Sequence, residues 1–374
     1  MKSSFYNLAY LNKIYENLFF KHAKKIYNSG RYISGKYVNK FEKSFSKYNK
    51  SSYSIAVSNG FDAIKLSIYT LKLLYNYDKN DEVIVPANSY IASILPVNLF
   101  ELKPVFVEPE KNFFTIDPLE IKKKISSKTK IIIVTHLYGH VANMIEICKL
   151  AKKYGIKIIE DCSQSHGSLV NKKKVGNFGA MGCFSLFPSK SLGSIGDAGI
   201  ITTNNKKINN ILRNLRNYGE NNFLDYNKRK YLNKYKGFNC RMSEFDAALL
   251  SIKLKDLDRI NLIRKNNVQL YLKKIKNKKI ILPKIKKNTQ PSWHQFIILC
   301  KNRDRLKKYL LKHKIETKIL YPVPPHKQKA YSEYKNLKLP LTEKIHNENL
   351  ALPIEIHHSK KNILRVIKYI NNYN

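Results

Sequence analysis

No apolar run in this 374-residue chain approaches the roughly 18 residues that a bilayer-spanning helix needs. The opening "MKSSFYNLAYLNKIYENLFF" keeps inserting Asn, Lys and Glu where a secretory signal is continuously apolar. These absences predict a cytoplasmic protein without a membrane partner. The five cysteines (Cys148, Cys162, Cys183, Cys240, Cys300) are odd in number and widely spaced, with no C-x-x-C pair and no short Cys/His cluster. Neither a disulfide framework nor a structural metal site is indicated. Acidic residues are scarce: 27 Asp+Glu stand against 69 Lys+Arg, leaving a formal charge of +42. Such an excess is a common footprint of nucleic-acid binding. Here it is spread through "IKKKISSKTK", "NKKK", "KKIKNKKIILPKIKK" and "RDRLKKYLLKHK", and only ten of the basic residues are arginine. A groove reader uses more arginine forks than that. Lys, Asn, Ile, Tyr and Phe share A/T-rich codons, so their abundance reflects a biased genome, and no nucleic-acid partner is expected. The positive field still helps to draw in an anionic substrate.

What remains is a globular composition, 43% hydrophobic and 26% charged, on the scale of one large domain plus a smaller one. The first fifty residues carry helical spacing through "LAYLNKIYENLFFKHAKKIY" and "VNKFEKSFSKY", separated by the glycine-containing break "SGRYISGKY". From Ser54, short apolar runs ("YSIAVSNG", "DEVIVPANSY", "PVFVEP", "KIIIVTHLYG", "IKIIEDCSQ") alternate with helical patterns. That alternation predicts an α/β fold with a largely parallel sheet covered on both faces, whose ligands bind at the carboxyl ends of the strands. Beyond about Arg259 the pattern changes to a long helix, the apolar run "SWHQFIILC" and two further helices. The predicted division is 1–258, holding the N-terminal helices and the large ligand-binding domain, and 259–374, a smaller α/β domain.

Several polar residues sit where strands end. Asp161 follows the buried-strand pattern "GIKIIE"; Asn59 and Gly60 lie between a strand and a helix, where free backbone N–H groups make a phosphate site; and "VPANSY" delivers Tyr90. Lys190 stands between "CFSLFPS" and the glycine-rich "GSIGDAG", which is neither a P-loop nor a dinucleotide fingerprint. Each feature has an ordinary structural explanation: a carboxylate caps the next segment, a tyrosine fills core, a glycine run turns the chain. Together they are what pyridoxal 5'-phosphate requires. A carboxylate keeps the ring nitrogen protonated, an aromatic plate covers the ring, a helix start holds the phosphate, and a lysine forms the Schiff base and shuttles a proton.

Along nearly its whole length the sequence resembles the fold-type I sugar aminotransferases of the DegT/DnrJ/EryC1/StrS family. The resemblance rests on "RYISGKYVNKFEKSF", "SNGFDAIKLS", "DEVIVPANSYIAS", "HLYGH", "EDCSQSHG", "FSLFPSKSLGSIGDAGIITTN", "LRNYGE", "YKGFNCRMSEFDAALLSIKL", "YPVPPHKQKAY" and "LALPI". It implies that Lys190 is the Schiff-base lysine, Asp161 the partner of the pyridine nitrogen, Gln164 a donor to the phenolic oxygen and Tyr90 the ring's stacking partner. It also implies that Ser185, Asn59 and Gly60 hold the phosphate, and that Asn239 reaches the phosphate bound by the second subunit of a homodimer. Arg241, Tyr321 and His326 occupy positions of usual substrate contact. The chain departs from the family pattern at Phe61, where Thr is frequent, and at Cys162 and Ser163, where Ala is frequent.

The implied activity is transfer of an amino group from L-glutamate to a nucleotide-linked keto-deoxysugar. Within the family, "SNGFDA", "ANSYIASI" and "YPVPPHKQKAY" resemble the branch that makes dTDP-3-amino-3,6-dideoxyhexoses for surface polysaccharide such as lipopolysaccharide O-antigen. The alternatives are amination at C4 of a UDP- or GDP-4-keto sugar, dehydration as in relatives that carry histidine in place of the lysine, and a catalytically inactive binding protein.

Overall fold

A computed structural model describes residues 3–221 and 231–374. Nine strands precede residue 204: β1 (Tyr53–Val57), β2 (Glu82–Pro86), β3 (Lys103–Val107), β4 (Thr129–Thr135), β5 (Lys157–Asp161), β6 (Leu169–Val170), β7 (Lys173–Lys174), β8 (Met181–Ser185) and β9 (Gly199–Thr203). Seven of them form one sheet in the order β1-β9-β8-β5-β4-β2-β3. β3, β2, β4, β5 and β8 pair in parallel, and β9 lies antiparallel to both β8 and β1. β1 therefore runs in the same direction as β8, and β1, β2, β4, β5 and β8 all end at one edge. This is the predicted mainly parallel α/β sheet, with antiparallel pairing confined to β9.

Both faces of the sheet are covered, and the two-residue strand period sorts side chains between them. Ile132 and Val134 of β4 join an apolar cluster with Phe41, Phe45, Met144, Ile147 and Leu250. Their neighbours Ile131 and Ile133 join another with Ile64, Leu66, Ile68, Leu212 and Leu215. The N-terminal helices, α1 (Leu8–Ser29) and α2 (Lys36–Asn49), lie on the first side, against the helix Glu244–Lys253. Gly35 heads α2 and has no side chain to cap it. The carboxylate of buried Glu244 does so instead, accepting from the amides of Gly35 (2.9 Å), Tyr37 (2.8 Å) and Val38 (3.0 Å). A Cβ at Gly35 would stand 2.6 Å from that carboxylate, so glycine is required there.

The last third has its own apolar cluster, containing Val268, Tyr271, Trp293, Phe296, Leu306, Leu350, Ile363 and Ile367. The helices Leu257–Lys274, Arg303–Lys312 and Lys360–Asn371 surround an antiparallel pair, β11 (Phe296–Leu299) with β12 (Asn349–Leu352). Another short strand, β10 (Thr289–Gln290), pairs with β6 in a separate three-stranded sheet, β10-β6-β7, and so ties this part to the segment between β5 and β8. The first described residues also belong here: Ser3 forms a parallel bridge with Ile315, and Phe5 is buried with Ile297 and Ala351. Among the described residues no helix is long and apolar enough to cross a membrane.

Replacing Glu244 by Ala strands three buried amides, and it is expected to cost about 2 kcal/mol of stability. Urea unfolding of the two proteins checks this; an unchanged midpoint would refute the remote cap.

Candidate active site

The strand ends surround a cavity of about 530 Å3 whose walls include Asn59, Gly60, Tyr90, Ser93, Thr135, Asp161, Gln164, Ser185, Lys190 and Tyr321. α3 (Gly60–Tyr75) starts directly after β1. The Asn59 side chain is occupied with capping, accepting from the Asp62 amide at 2.7 Å and donating to the Asp62 carboxylate at 3.0 Å. Its contribution at the helix start is therefore through the backbone. A Cβ at Gly60 would stand 2.6 Å from the Ser185 Cβ, so the glycine lets the helix N-terminus and the serine converge on one spot. Orphan amides and a hydroxyl in such a convergence can hold an anion.

Asp161 ends β5 with its carboxylate buried. One oxygen accepts from the Ser93 hydroxyl at 2.6 Å and the other from the Ser163 amide at 3.0 Å. Ser93 was not among the residues expected at the site. It lies on the turn Ile91–Ser93, and its signal was available: a serine a few positions beyond β2 in "ANSYIAS" must stand at the same edge. Thr135, the last residue of β4 and the register partner of Asp161, also lines the cavity, and its buried hydroxyl has no partner.

On another wall, Tyr90 is half-exposed and stacks on Tyr321, with ring centroids 5.2 Å apart at 28°. Gln164 donates to the Tyr321 hydroxyl at 2.7 Å and accepts from the Tyr138 amide at 2.7 Å. Tyr321 adopts a left-handed backbone (φ 55), held by a hydrogen bond between its carbonyl oxygen and His346 Nδ1. Burial raises the Tyr321 hydroxyl well above its ordinary pKa, so it stays protonated.

Lys190 is half-buried, its backbone N–H donating to the Phe187 carbonyl at 2.8 Å. Burial lowers its pKa to about 8, while the Asp161 charge acts in the opposite direction. Buried His166 is lowered to about 3 by burial, with Lys190 adding to the effect, so its imidazole stays neutral beside the lysine.

Of the other residues expected at the site, Asn239 is exposed and pairs through its backbone with Asn217, outside this cavity. Arg241 also lies outside, donating to Asn217 at 3.2 Å and covering the Tyr218 ring. His326 is buried, with its Nε2 3.2 Å from Glu343, and does not line the cavity. A second polar cluster, His136, Glu160 and Cys162, has the proximity of a metal site. Its ligand atoms are committed elsewhere: Glu160 accepts from the amides of Gly176, Phe178 and Gly179 at 2.6 to 2.8 Å. His136 Nδ1 accepts from the Ala142 amide, which puts its proton on Nε2, 3.2 Å from Glu160. The cluster braces the end of β5.

Residues 13–371 match the DegT/DnrJ/EryC1/StrS aminotransferase family. The chain belongs to this family. It is 43% identical, over 99% of both chains, to the dTDP-3-amino-3,6-dideoxy-alpha-D-galactopyranose transaminase of Aneurinibacillus thermoaerophilus. It is 35% identical to the dTDP-3-amino-3,4,6-trideoxy-alpha-D-glucose transaminase of Streptomyces venezuelae, covering 93% of this chain and 90% of that one. The crystal structure of S. venezuelae DesV with a ketimine intermediate superposes with a TM-score of 0.94 at 34% identity, covering 99% and 98% of the two chains. The protein is thus a fold-type I aminotransferase that uses pyridoxal 5'-phosphate. The cavity suits that cofactor: it has an anion cradle that a Cβ at Gly60 would obstruct, a buried carboxylate, an unpartnered Thr135 hydroxyl and one lysine.

In cofactor-free protein, Lys190 is expected to react with an acylating reagent at a pH midpoint of about 8, whereas surface lysines stay near 10. Asp161→Asn removes the charge that favours the ammonium form, so the midpoint moves further down. Peptide mapping after acylation across a pH series measures both; a rise in the Asp161→Asn protein would contradict the assigned geometry.

Proposed function

We propose that this aminotransferase moves an amino group from L-glutamate to C3 of a dTDP-3-keto-6-deoxyhexose, yielding the dTDP-3-amino-3,6-dideoxyhexose for surface polysaccharide. The observation that carries the reading is the 43% identity, over 99% of each chain, to a dTDP-3-amino-3,6-dideoxyhexose transaminase. The cavity with Lys190 and Asp161 supplies the chemistry.

Bound pyridoxal phosphate supplies the electron sink and carries the amino group between the two half-reactions. The chain's own residues do the rest. The Ser93 hydroxyl and the Ser163 amide orient the Asp161 carboxylate, which would pair with the ring nitrogen of the bound cofactor. The Lys190 amine, kept close to neutrality by burial, moves the proton at the reacting carbon as general acid and base. The α3 N-terminus and Ser185 would hold the phosphate, Gln164 the phenolic oxygen, and Tyr90 the face of the ring. Phe61, Ile64, Leu95 and Phe187 add apolar wall, which excludes water and suits a sugar lacking hydroxyls. Relatives that dehydrate carry histidine at the lysine position, so Lys190 favours amino transfer over that reading and over an inactive binding protein.

We further propose a cytoplasmic homodimer with shared sites and a division of each chain at 258/259. Asn239 is exposed and lines no part of its own cavity, which suits a residue serving the partner's phosphate, and Arg241 near it is assigned to the sugar in that same site. Exposed Phe187, Ile195 and Tyr218 offer apolar surface for such contact. His326, buried against Glu343, is assigned an influence on substrate through the loop that also carries Tyr321.

Incubation with glutamate and a panel of nucleotide keto sugars should give product with nitrogen on C3 by NMR; nitrogen on C4, or turnover of only UDP- or GDP-4-keto sugars, rejects the substrate assignment. Lys190→Ala should be colourless and inactive. Mixed with an Asn239→Ala protein, it should regain activity through hybrid dimers holding one intact site. Full activity from a monomer would refute the shared site.

A further inference from the structure

From Ile131 to Val134, β4 is wholly aliphatic, and it then closes on Thr135. The Thr135 hydroxyl is buried and has no hydrogen-bond partner. A valine has nearly the same shape and would bury there without an unpaired polar group. Among the described residues, Thr135 carries the one buried, unpartnered side-chain oxygen or nitrogen that belongs to a residue lining the active-site cavity. Ser93, Asp161, Gln164 and Tyr321 on the same walls are all hydrogen-bonded.

The sheet decides what that hydroxyl stands beside. Ile131 and Ile133 of β4 and Ile159 of β5 belong to one apolar cluster, so the two-residue period puts Thr135 and Asp161 on that same face. They are register partners on adjacent parallel strands, and their side chains stand side by side. Asp161 takes its hydrogen bonds from elsewhere, the Ser93 hydroxyl and the Ser163 amide. Three residues past Thr135, the Tyr138 N–H donates to Gln164 Oε1 at 2.7 Å, which leaves the Gln164 amide nitrogen as the donor at the site. Thr135 thus neighbours Asp161 across the sheet and, along the chain, the turn that fixes Gln164.

We propose that Thr135 is a further cofactor-binding residue, whose hydroxyl donates to the phenolic oxygen of the cofactor beside Gln164. The proposal rests on the reading that Asp161 takes the ring nitrogen and Gln164 the phenolic oxygen. Those two atoms lie on one edge of the pyridine ring, with only a methyl group between them. The ring nitrogen's proton is directed to Asp161, so the phenolic oxygen is the acceptor that this edge offers to a further donor. Because that oxygen carries negative charge, the bond is charge-assisted. The hydroxyl left unpaired in the cofactor-free protein then gains its partner when the cofactor binds.

The test measures calorimetric binding of pyridoxamine 5'-phosphate, which carries the phenolic oxygen and forms no bond with Lys190, and of its 3-deoxy analogue, which lacks that oxygen. Wild type is compared with Thr135→Val, Thr135→Ser and Gln164→Leu. Thr135→Val should weaken pyridoxamine phosphate about tenfold, while Thr135→Ser stays within about twofold of wild type. The 3-deoxy analogue should bind wild type and Thr135→Val alike. Without cofactor, Thr135→Val should melt no lower than wild type, because it removes an unpaired buried hydroxyl. Unchanged binding in Thr135→Val, or an equal loss with both ligands, would overturn the proposal: the hydroxyl would then only pack or act through another group. Gln164→Leu should show the same dependence on the phenolic oxygen; if it shows none, the ring edge lies elsewhere and the proposal falls with that reading. If the wild-type protein aminates no keto sugar, the substrate reading fails while these binding results still decide this one.

Discussion

Asp161 is a buried negative charge at the end of β5, and the surrounding structure has to solvate it from within. A carboxylate so placed is tolerated only with hydrogen bonds to its oxygens and a cation nearby. Ser93 and the Ser163 amide supply the bonds, and Lys190 is the cation within electrostatic reach. The residue before it is a second buried carboxylate, Glu160, pointing to the opposite face of the sheet. Three amides and His136 hold Glu160, so the strand end that presents Asp161 cannot shift without breaking that set.

A chain with 27 acidic residues and 69 basic ones has few carboxylates to bury, and those it buries have structural duties. Glu42 joins Arg213, Arg216 and the Ala56 amide, fixing the helix Lys206–Leu215 and β1 to α2. Glu244 caps α2, and Glu355 balances Arg264 beside the lysine loop. The basic excess is largely solvated. An exception is Lys253, buried with its amine donating to the Gly193 carbonyl at 2.8 Å and lowered to about 8 by burial. It clamps the glycine-rich loop just beyond Lys190, from a different helix than Arg264 uses.

The site is consequently a joint product of three stretches distant in sequence. The sheet edge contributes the carboxylate, the phosphate cradle and the lysine. The last third contributes Tyr321 in a strained conformation held by His346, and the neutral imidazole of His294. The N-terminal segment, anchored on that last third, hydrogen-bonds through Tyr6 to Gln295, whose backbone meets the Tyr138 that holds Gln164.

Gln164 and Ser185 came with the family resemblance; strand and helix order, the direction of the sheet, and Lys190, Asp161, Asn59, Gly60 and Tyr90 at its carboxyl edge were legible in the residue pattern. Each follows from local rules: apolar runs make strands, a parallel sheet places their ends together, and polar residues just beyond an apolar run must lie at that edge. Ser93 was within reach of the same argument. Glu244 as a cap for α2, Tyr6 against Gln295, Arg241 and His326 lying outside the cavity, and Asn59 turned to capping were not legible. Those contacts join residues whose sequence separation carries no periodicity, and side-chain hydrogen bonds compete for the same few atoms. Only the packed chain decides which donor wins.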